Sequence, residues 1–212
     1  MRHEIRHTLT KLATWMKPSR VRVSAATAPG KARIVAEPKG VVLILGTWNF
    51  PLLLTIQPLV SAWRPAMLPW SSLRRRRCHR ADDRREVAKY VDPDAVRVVL
   101  GDGKINRALL ELRFDHTFFT GSTTVGKAVM EASARHLTPV TLELGGKSPV
   151  IVTADADIEV AARRIAWAKS INAGQTCIAP DYVLVEDSVR PALVERLLAE
   201  LPAHAANDST TS

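Results

Sequence analysis

Short apolar runs rich in β-branched residues, each closed by glycine, constrain this chain more than any other feature. Val41-Val42-Leu43-Ile44-Leu45 follows Pro38-Lys39-Gly40 and ends at Gly46. Ala95–Leu100 is entered through Asp92-Pro93-Asp94 and closed by Gly101-Asp102-Gly103. Phe114–Thr120 ends at Gly121, Val140–Leu144 ends at Gly145-Gly146, and Pro149–Val152 follows closely. Runs of this length bounded by turn residues read as buried strands. Helical spacing predicts helices over Glu4–Met16, Val125–His136, Ile158–Ile171 and Arg190–Leu201, with a short strand at Val183–Val185. Strands alternating with helices imply a mainly parallel α/β sheet, whose ligands sit outside the carboxyl ends of its strands.

Composition narrows the classes. At 212 residues the chain is long enough for one sizeable domain and a part of another. With 46% hydrophobic and 24% charged residues it is neither wholly disordered nor fibrous. Its longest apolar runs are too short to span a bilayer, and the charged start Met1-Arg2-His3-Glu4-Ile5-Arg6 lacks the apolar core of a secretory signal. The two cysteines, Cys78 and Cys177, suggest no disulfide framework and no metal site. A cytoplasmic protein without membrane partners is the expectation. The net charge of +9 is local: Trp63 to Lys89 holds nine basic against three acidic residues and accounts for six of those charges. The run Arg74–Arg77 has no aromatic platform or nucleic-acid motif beside it, so no nucleic-acid partner is expected.

Four polar turns follow the strand-like runs. They are Gly46-Thr47-Trp48-Asn49-Phe50-Pro51, Gly121-Ser122-Thr123-Thr124-Val125-Gly126, Glu143-Leu144-Gly145-Gly146-Lys147 and Asn172-Ala173-Gly174-Gln175-Thr176-Cys177. Cys177 with Glu143 suggests covalent catalysis, in which a thiolate attacks a carbonyl and a carboxylate then activates water. The alternative for Cys177 is a small buried hydrophobe. Asn49 offers an amide to a developing oxyanion, or caps a turn. Gly121–Gly126 places backbone N–H groups and a helix dipole where a pyrophosphate can bind, but its spacing matches neither a Walker loop nor G-x-G-x-x-G. Glu143 is either a site residue or a paired core acid.

Together these motifs closely resemble the aldehyde dehydrogenase superfamily, its class 3 (fatty and aromatic aldehyde) branch above all. The resemblance runs through Glu37-Pro38-Lys39-Gly40-Val41-Val42, Thr55-Ile56-Gln57-Pro58, Phe119-Thr120-Gly121-Ser122-Thr123, Thr138-Pro139-Val140-Thr141-Leu142-Glu143-Leu144-Gly145-Gly146-Lys147 and Gly174-Gln175-Thr176-Cys177-Ile178-Ala179-Pro180. It covers most of the chain from residue 4 to about residue 200, in the family's order. It implies oxidation of a small-molecule aldehyde to a carboxylic acid with NAD or NADP, on a Rossmann-like parallel sheet followed by the beginning of a catalytic domain. In that reading Cys177 is the nucleophile, the Asn49 side chain and the Cys177 N–H hold the oxyanion, and Glu143 is the base. Gly121, Ser122, Val125 and Gly126 line the cofactor, and Thr47 and Trp48 sit near it. No metal is implied. Intact family members are usually homo-oligomeric.

The chain departs from the family at three places. Where the family has a Gly-Asn-Ala-Val-Val-Leu-Lys-Pro-Ser-Glu strand with its ribose-binding lysine, this chain reads Trp63-Arg64-Pro65-Ala66-Met67-Leu68-Pro69-Trp70-Ser71-Ser72. Pro65 and Pro69 argue against a central strand there, and the cofactor sheet is expected to lack it. Back-translated from the third base of each codon, Ala62 to Ser72 can read Leu-Ala-Pro-Gly-Asn-Ala-Ala-Val-Val-Lys-Pro: the unique codons of Trp and Met fix a few bases and the others need compatible synonymous codons. Residues 63–85 therefore read as the product of paired compensating frame shifts. The chain also begins inside the family pattern and stops about a helix after Cys177. The expected organisation is a partial NAD(P)-binding domain over 1–145, the start of a catalytic domain over 146–202, and a disordered tail over 203–212. The alternative to an active enzyme is an inactive fragment that at most binds a dinucleotide weakly or pairs with an intact relative.

Overall fold

A computed structural model describes residues 2–62, 68–74 and 89–208. It divides into two compact units, Met1–Glu143 and Leu144–Ser212.

The first unit opens with helix α1 (Arg2–Trp15), which ends ahead of Pro18 as the helical spacing requires. A short antiparallel pair follows, β1 (Ser19–Val21) against β2 (Ala32–Ile34). Then come β3 (Val41–Leu45), α2 (Leu53–Ala62), β4 (Leu68–Arg74), β5 (Arg97–Gly101), α3 (Gly103–Leu110), β6 (His116–Thr120), α4 (Thr123–Ala134) and β7 (Val140–Glu143). Five strands form one parallel sheet in the order β5-β4-β3-β6-β7. Central β3 is the most deeply buried of them, with Leu43 and Ile44 fully enclosed. This is the continuous apolar run that a parallel strand covered on both faces demands. Val42, Ile44, Leu59, Ala62 and Val96 form a core beneath α2, joined by Ile56 and Phe118.

Strand β4 corrects the reading of the anomalous stretch. It lies between β3 and β5, with Val42 opposite Pro69 and Leu43 opposite Trp70, so the sheet is not one strand short. The physical reason is that a parallel strand addresses its two neighbours through alternate peptide groups. One proline then removes a single N–H donor toward one neighbour, and the other peptide groups keep the pairing. Residues 63–67 and 75–88, which hold Pro65 and most of the arginine run, lie outside the described residues.

The second unit carries β8 (Ser148–Val152), α5 (Ile158–Ser170), β9 (Pro180–Val185) and α6 (Arg190–Asp208). Strands β8 and β9 pair in parallel, and Val150, Val152, Val183 and Val185 pack with Ala162, Leu193 and Leu197 of the two helices. Helix α6 passes Pro202 and reaches Asp208. Ala203, Ala205 and Ala206 have the highest intrinsic helix propensity and extend the preceding turns. Residues 209–212 lie outside the described residues.

Candidate active site

The order of strands sets where a ligand can lie. From β3 the chain moves outward through β4 to β5, then returns to the other side of β3 for β6 and β7. Neighbouring β3 and β6 therefore flank the switch point, where the loops at their carboxyl ends diverge and leave a crevice. Thr47, Trp48 and Asn49 follow β3 directly, and Gly121 and Ser122 follow β6.

The β3 turn is ordered by its own side chains. Thr47 is buried, and its hydroxyl donates to Asn49 Oδ1 at 2.9 Å. A carboxamide has one acceptor end and one donor end, so engaging the oxygen fixes the Nδ2 group as the end that can stabilise negative charge. Trp48 is 48% exposed beside them, an open aromatic surface at the rim.

The β6 turn is tied to the end of β7, where the Gly121 N–H donates to the Glu143 carbonyl at 2.9 Å. A Cβ on Gly121 would stand 2.5 Å from the tip of the Phe119 ring, so any larger residue here would displace that buried ring. Ser122 caps α4: its Oγ accepts the Val125 N–H at 3.4 Å, and its carbonyl accepts the Gly126 N–H at 2.8 Å. Gly126 is buried and Val125 is 42% exposed. No acidic residue stands in the first turn of α4, so the partial positive charge of that helix end is not offset. The buried Thr120 hydroxyl, one residue before Gly121, has no hydrogen-bond partner among the described residues. An uncompensated helix end and an unspent hydroxyl at the switch point fit the pyrophosphate of a dinucleotide. Glu143 is the exposed last residue of β7, while Val140, Thr141 and Leu142 are half-buried. It is not a paired core acid.

In the second unit Cys177 is exposed and its thiol is free, which removes the buried-hydrophobe alternative. It lies in a turn closed by the Ala179 N–H donating to the Thr176 carbonyl at 3.1 Å. Three successive left-handed residues lead into that turn: Asn172 (φ 52°), Ala173 (φ 54°) and Gly174 (φ 73°). The Gln175 backbone and side-chain N–H groups both donate to the Asn172 carbonyl, at 3.1 and 3.0 Å. Next to the turn, Lys147 Nζ donates to Asp181 Oδ2 at 2.8 Å. That hydrogen bond raises the pKa of the Lys147 ammonium and holds the Asp181 carboxyl below its usual range.

The structure thus gathers Thr47, Trp48, Asn49, Gly121, Ser122, Val125, Gly126 and Glu143 at the carboxyl end of one parallel sheet. Cys177 stands on its own ordered turn in the second unit. Sequence reasoning missed the Thr47 hydroxyl as the group that orients Asn49, and missed Thr120. Both had a signal in a polar residue directly beside a glycine turn that ends a strand.

These features define an open parallel α/β protein with its polar turns at the sheet's switch point and a thiol-bearing turn in a second unit. The model of the aldehyde dehydrogenase family matches residues 84–211, and the chain belongs to that family. It is 42% identical to the dimeric NADP-preferring aldehyde dehydrogenase of Canis lupus familiaris over 99% of this chain and 46% of that protein. It is 43% identical to aldehyde dehydrogenase family 3 member H1 of Arabidopsis thaliana over 95% of this chain and 42% of that protein. Among solved structures, the substrate-bound state of Staphylococcus aureus AldH superposes with a TM-score of 0.85 at 36% identity, covering 94% of this chain and 44% of that one. The chain spans about half the length of the curated relatives it matches.

Proposed function

We propose that this chain carries the dinucleotide site and the nucleophile for oxidising an aldehyde to a carboxylic acid with NAD or NADP. The observation that carries the reading is the exposed Cys177 thiol on an ordered turn, in a chain whose sheet has a cofactor-type switch point. Cys177 as thiolate adds to the aldehyde carbon, and the carbonyl oxygen becomes an alkoxide. Thr47 holds the Asn49 carboxamide by its oxygen, and by the family resemblance the Asn49 Nδ2 group and the Cys177 backbone N–H would be the donors to that alkoxide. A nicotinamide, when bound, would supply the hydride acceptor, and the adduct on Cys177 that gives up its hydride would become a thioester. Glu143 then takes a proton from water, whose oxygen attacks the thioester, and the acid leaves with the thiol regenerated. Residues Ser122 to Gly126 would hold the pyrophosphate at the head of α4. The dog relative is named NADP-preferring, which supports NADP beside NAD.

The test is single-turnover formation of reduced nicotinamide from an aromatic and a long-chain aldehyde, with dinucleotide binding titrated in parallel. Saturable binding and a burst that disappears in Cys177→Ala, by a factor of about 10³ or more, are expected. A chain that binds the dinucleotide with no burst reduces the reading to a binding module. A chain that neither binds nor reacts overturns it.

A further inference from the structure

Two adjacent glycines precede β8, and the sequence offers no reason to distinguish them. The structure does. A Cβ on Gly145 would meet no heavy atom within 4 Å, whereas a Cβ on Gly146 would stand 2.7 Å from the Cys177 carbonyl oxygen and 3.5 Å from Ser148 Oγ. The obstructing atom is backbone, and the backbone on both sides of the approach is held. On the Gly146 side, the exposed Lys147 side chain is paired to Asp181 at 2.8 Å, and Ser148 lies opposite Pro180, with the register shifting by one before Pro149 meets Tyr182. On the Cys177 side, the Thr176–Ala179 hydrogen bond closes the turn, and Ala179 itself is buried. The left-handed run Asn172-Ala173-Gly174 and the two Gln175 donors fix its entry.

We infer that Gly146 is a positioning residue for the Cys177 turn. Its missing side chain lets the Ser148 strand seat against the Cys177 peptide, and that contact sets the direction of the thiol and of the Cys177 N–H. Gly145 has no such part. The inference deepens the reading of Cys177 as nucleophile and rests on it for its catalytic meaning, but the seating of the turn is measurable without any turnover. An alanine at 146 requires the Cys177 peptide to retreat by up to about 0.7 Å to reach an ordinary contact of 3.4 Å. Displacements approaching 1 Å at a reacting group cost up to about a hundredfold in rate, so roughly a tenfold effect is expected.

The experiment compares alkylation by iodoacetamide and acylation by p-nitrophenyl acetate in the unmodified chain, Gly146→Ala and Gly145→Ala. Labelling is read site by site by mass spectrometry, with Cys78 as internal reference. Gly146→Ala should slow acylation of Cys177 about tenfold with Cys78 labelling unchanged, and Gly145→Ala should stay within about twofold of the unmodified chain. Equal rates in Gly146→Ala, or equal slowing in both variants, overturn the inference. Should Gly146→Ala fail to fold by circular dichroism, the double variant with Ala173→Gly relaxes the left-handed strain and lets the turn give way. That variant is expected to fold and to acylate slowly, and wild-type acylation in it would also overturn the inference. A chain that shows the Gly146 effect but no aldehyde oxidation keeps the positioning role and loses the proposed function.

Discussion

Thr47 is the residue on which the donor geometry of the first unit turns. Its hydroxyl has one proton, and that proton goes to Asn49 Oδ1 at 2.9 Å from a position only 6% exposed to solvent. In such surroundings a hydrogen bond is worth about 1 kcal/mol net, and losing it removes the donor that holds the Oδ1 end of the carboxamide. Asn49→Ala removes the donor altogether and is expected to slow acyl transfer to Cys177 by about 10²-fold or more. Thr47→Val keeps the shape but not the proton, and should cost about tenfold, with Thr47→Ser restoring most of it. Burst kinetics with p-nitrophenyl acetate measure all three. Wild-type acylation in Thr47→Val beside a slow Asn49→Ala would show that the threonine orients nothing.

At the scale of elements, the opposite end of the sheet holds a second polar group. His116, the first residue of β6, is buried between Lys39 Nζ at 3.2 Å from Nδ1 and Thr141 Oγ1 at 3.0 Å from Nε2, which links β6 to β7. An ammonium only donates, so Nδ1 accepts and Nε2 carries the proton given to Thr141. Burial first, and the Lys39 charge second, lower the pKa of His116 from its ordinary value. The folded chain therefore resists a proton that the unfolded chain accepts near pH 6.5. Stability from this arrangement is complete above about pH 6.5 and is lost as pH falls from there toward the lowered folded value. Melting temperatures measured between about pH 7.5 and 5.5 should fall more steeply for the unmodified chain than for His116→Gln, and parallel curves would refute the coupling. Elements were legible in the sequence where one physical signal dominated. The apolar run of β3, the period of α5 and the glycine that ends β6 all gave elements that the structure contains. Helix α3 was not legible, because Asp102-Gly103 reads as a turn. The Asp102 carboxylate instead accepts from Lys104 N at 2.8 Å and caps a helix too short to show a period. Strands β1 and β2 are three residues each and exposed throughout, so no alternation marks them. Of the candidate site, residue types and turn positions were legible. The Thr47–Asn49 bond and the difference between Gly145 and Gly146 were not, because they are tertiary contacts between atoms.

For the whole molecule the decisive question is what occupies the strand position between β3 and β5. Residues 68–72 of β4 lie opposite Val41–Leu45 of β3 and read Leu68-Pro69-Trp70-Ser71-Ser72. The shifted codon reading has the same length and sets Ala-Ala-Val-Val-Lys against the same five partners, removing the proline without moving a neighbour. The family model begins its match at residue 84, where the anomalous stretch ends. Backbone position and strand length agree that a strand belongs here, while Pro69 is a poor strand residue by its chemistry. Replacing residues 68–72 by Ala-Ala-Val-Val-Lys restores one backbone N–H inside the sheet and puts two β-branched residues on a strand paired on both sides. An unsatisfied buried peptide group costs about 1–3 kcal/mol, so the replaced chain should gain about that much in chemical denaturation. Its dinucleotide affinity, measured by the same titration as above, should rise with it. Reading the coding DNA supplies an independent check, because codons for Ala62 to Ser72 that cannot encode the shifted peptide exclude the frame-shift origin. If the replaced chain is no more stable, β4 tolerates its proline through the alternation of its peptide groups, and the sheet is complete as it stands.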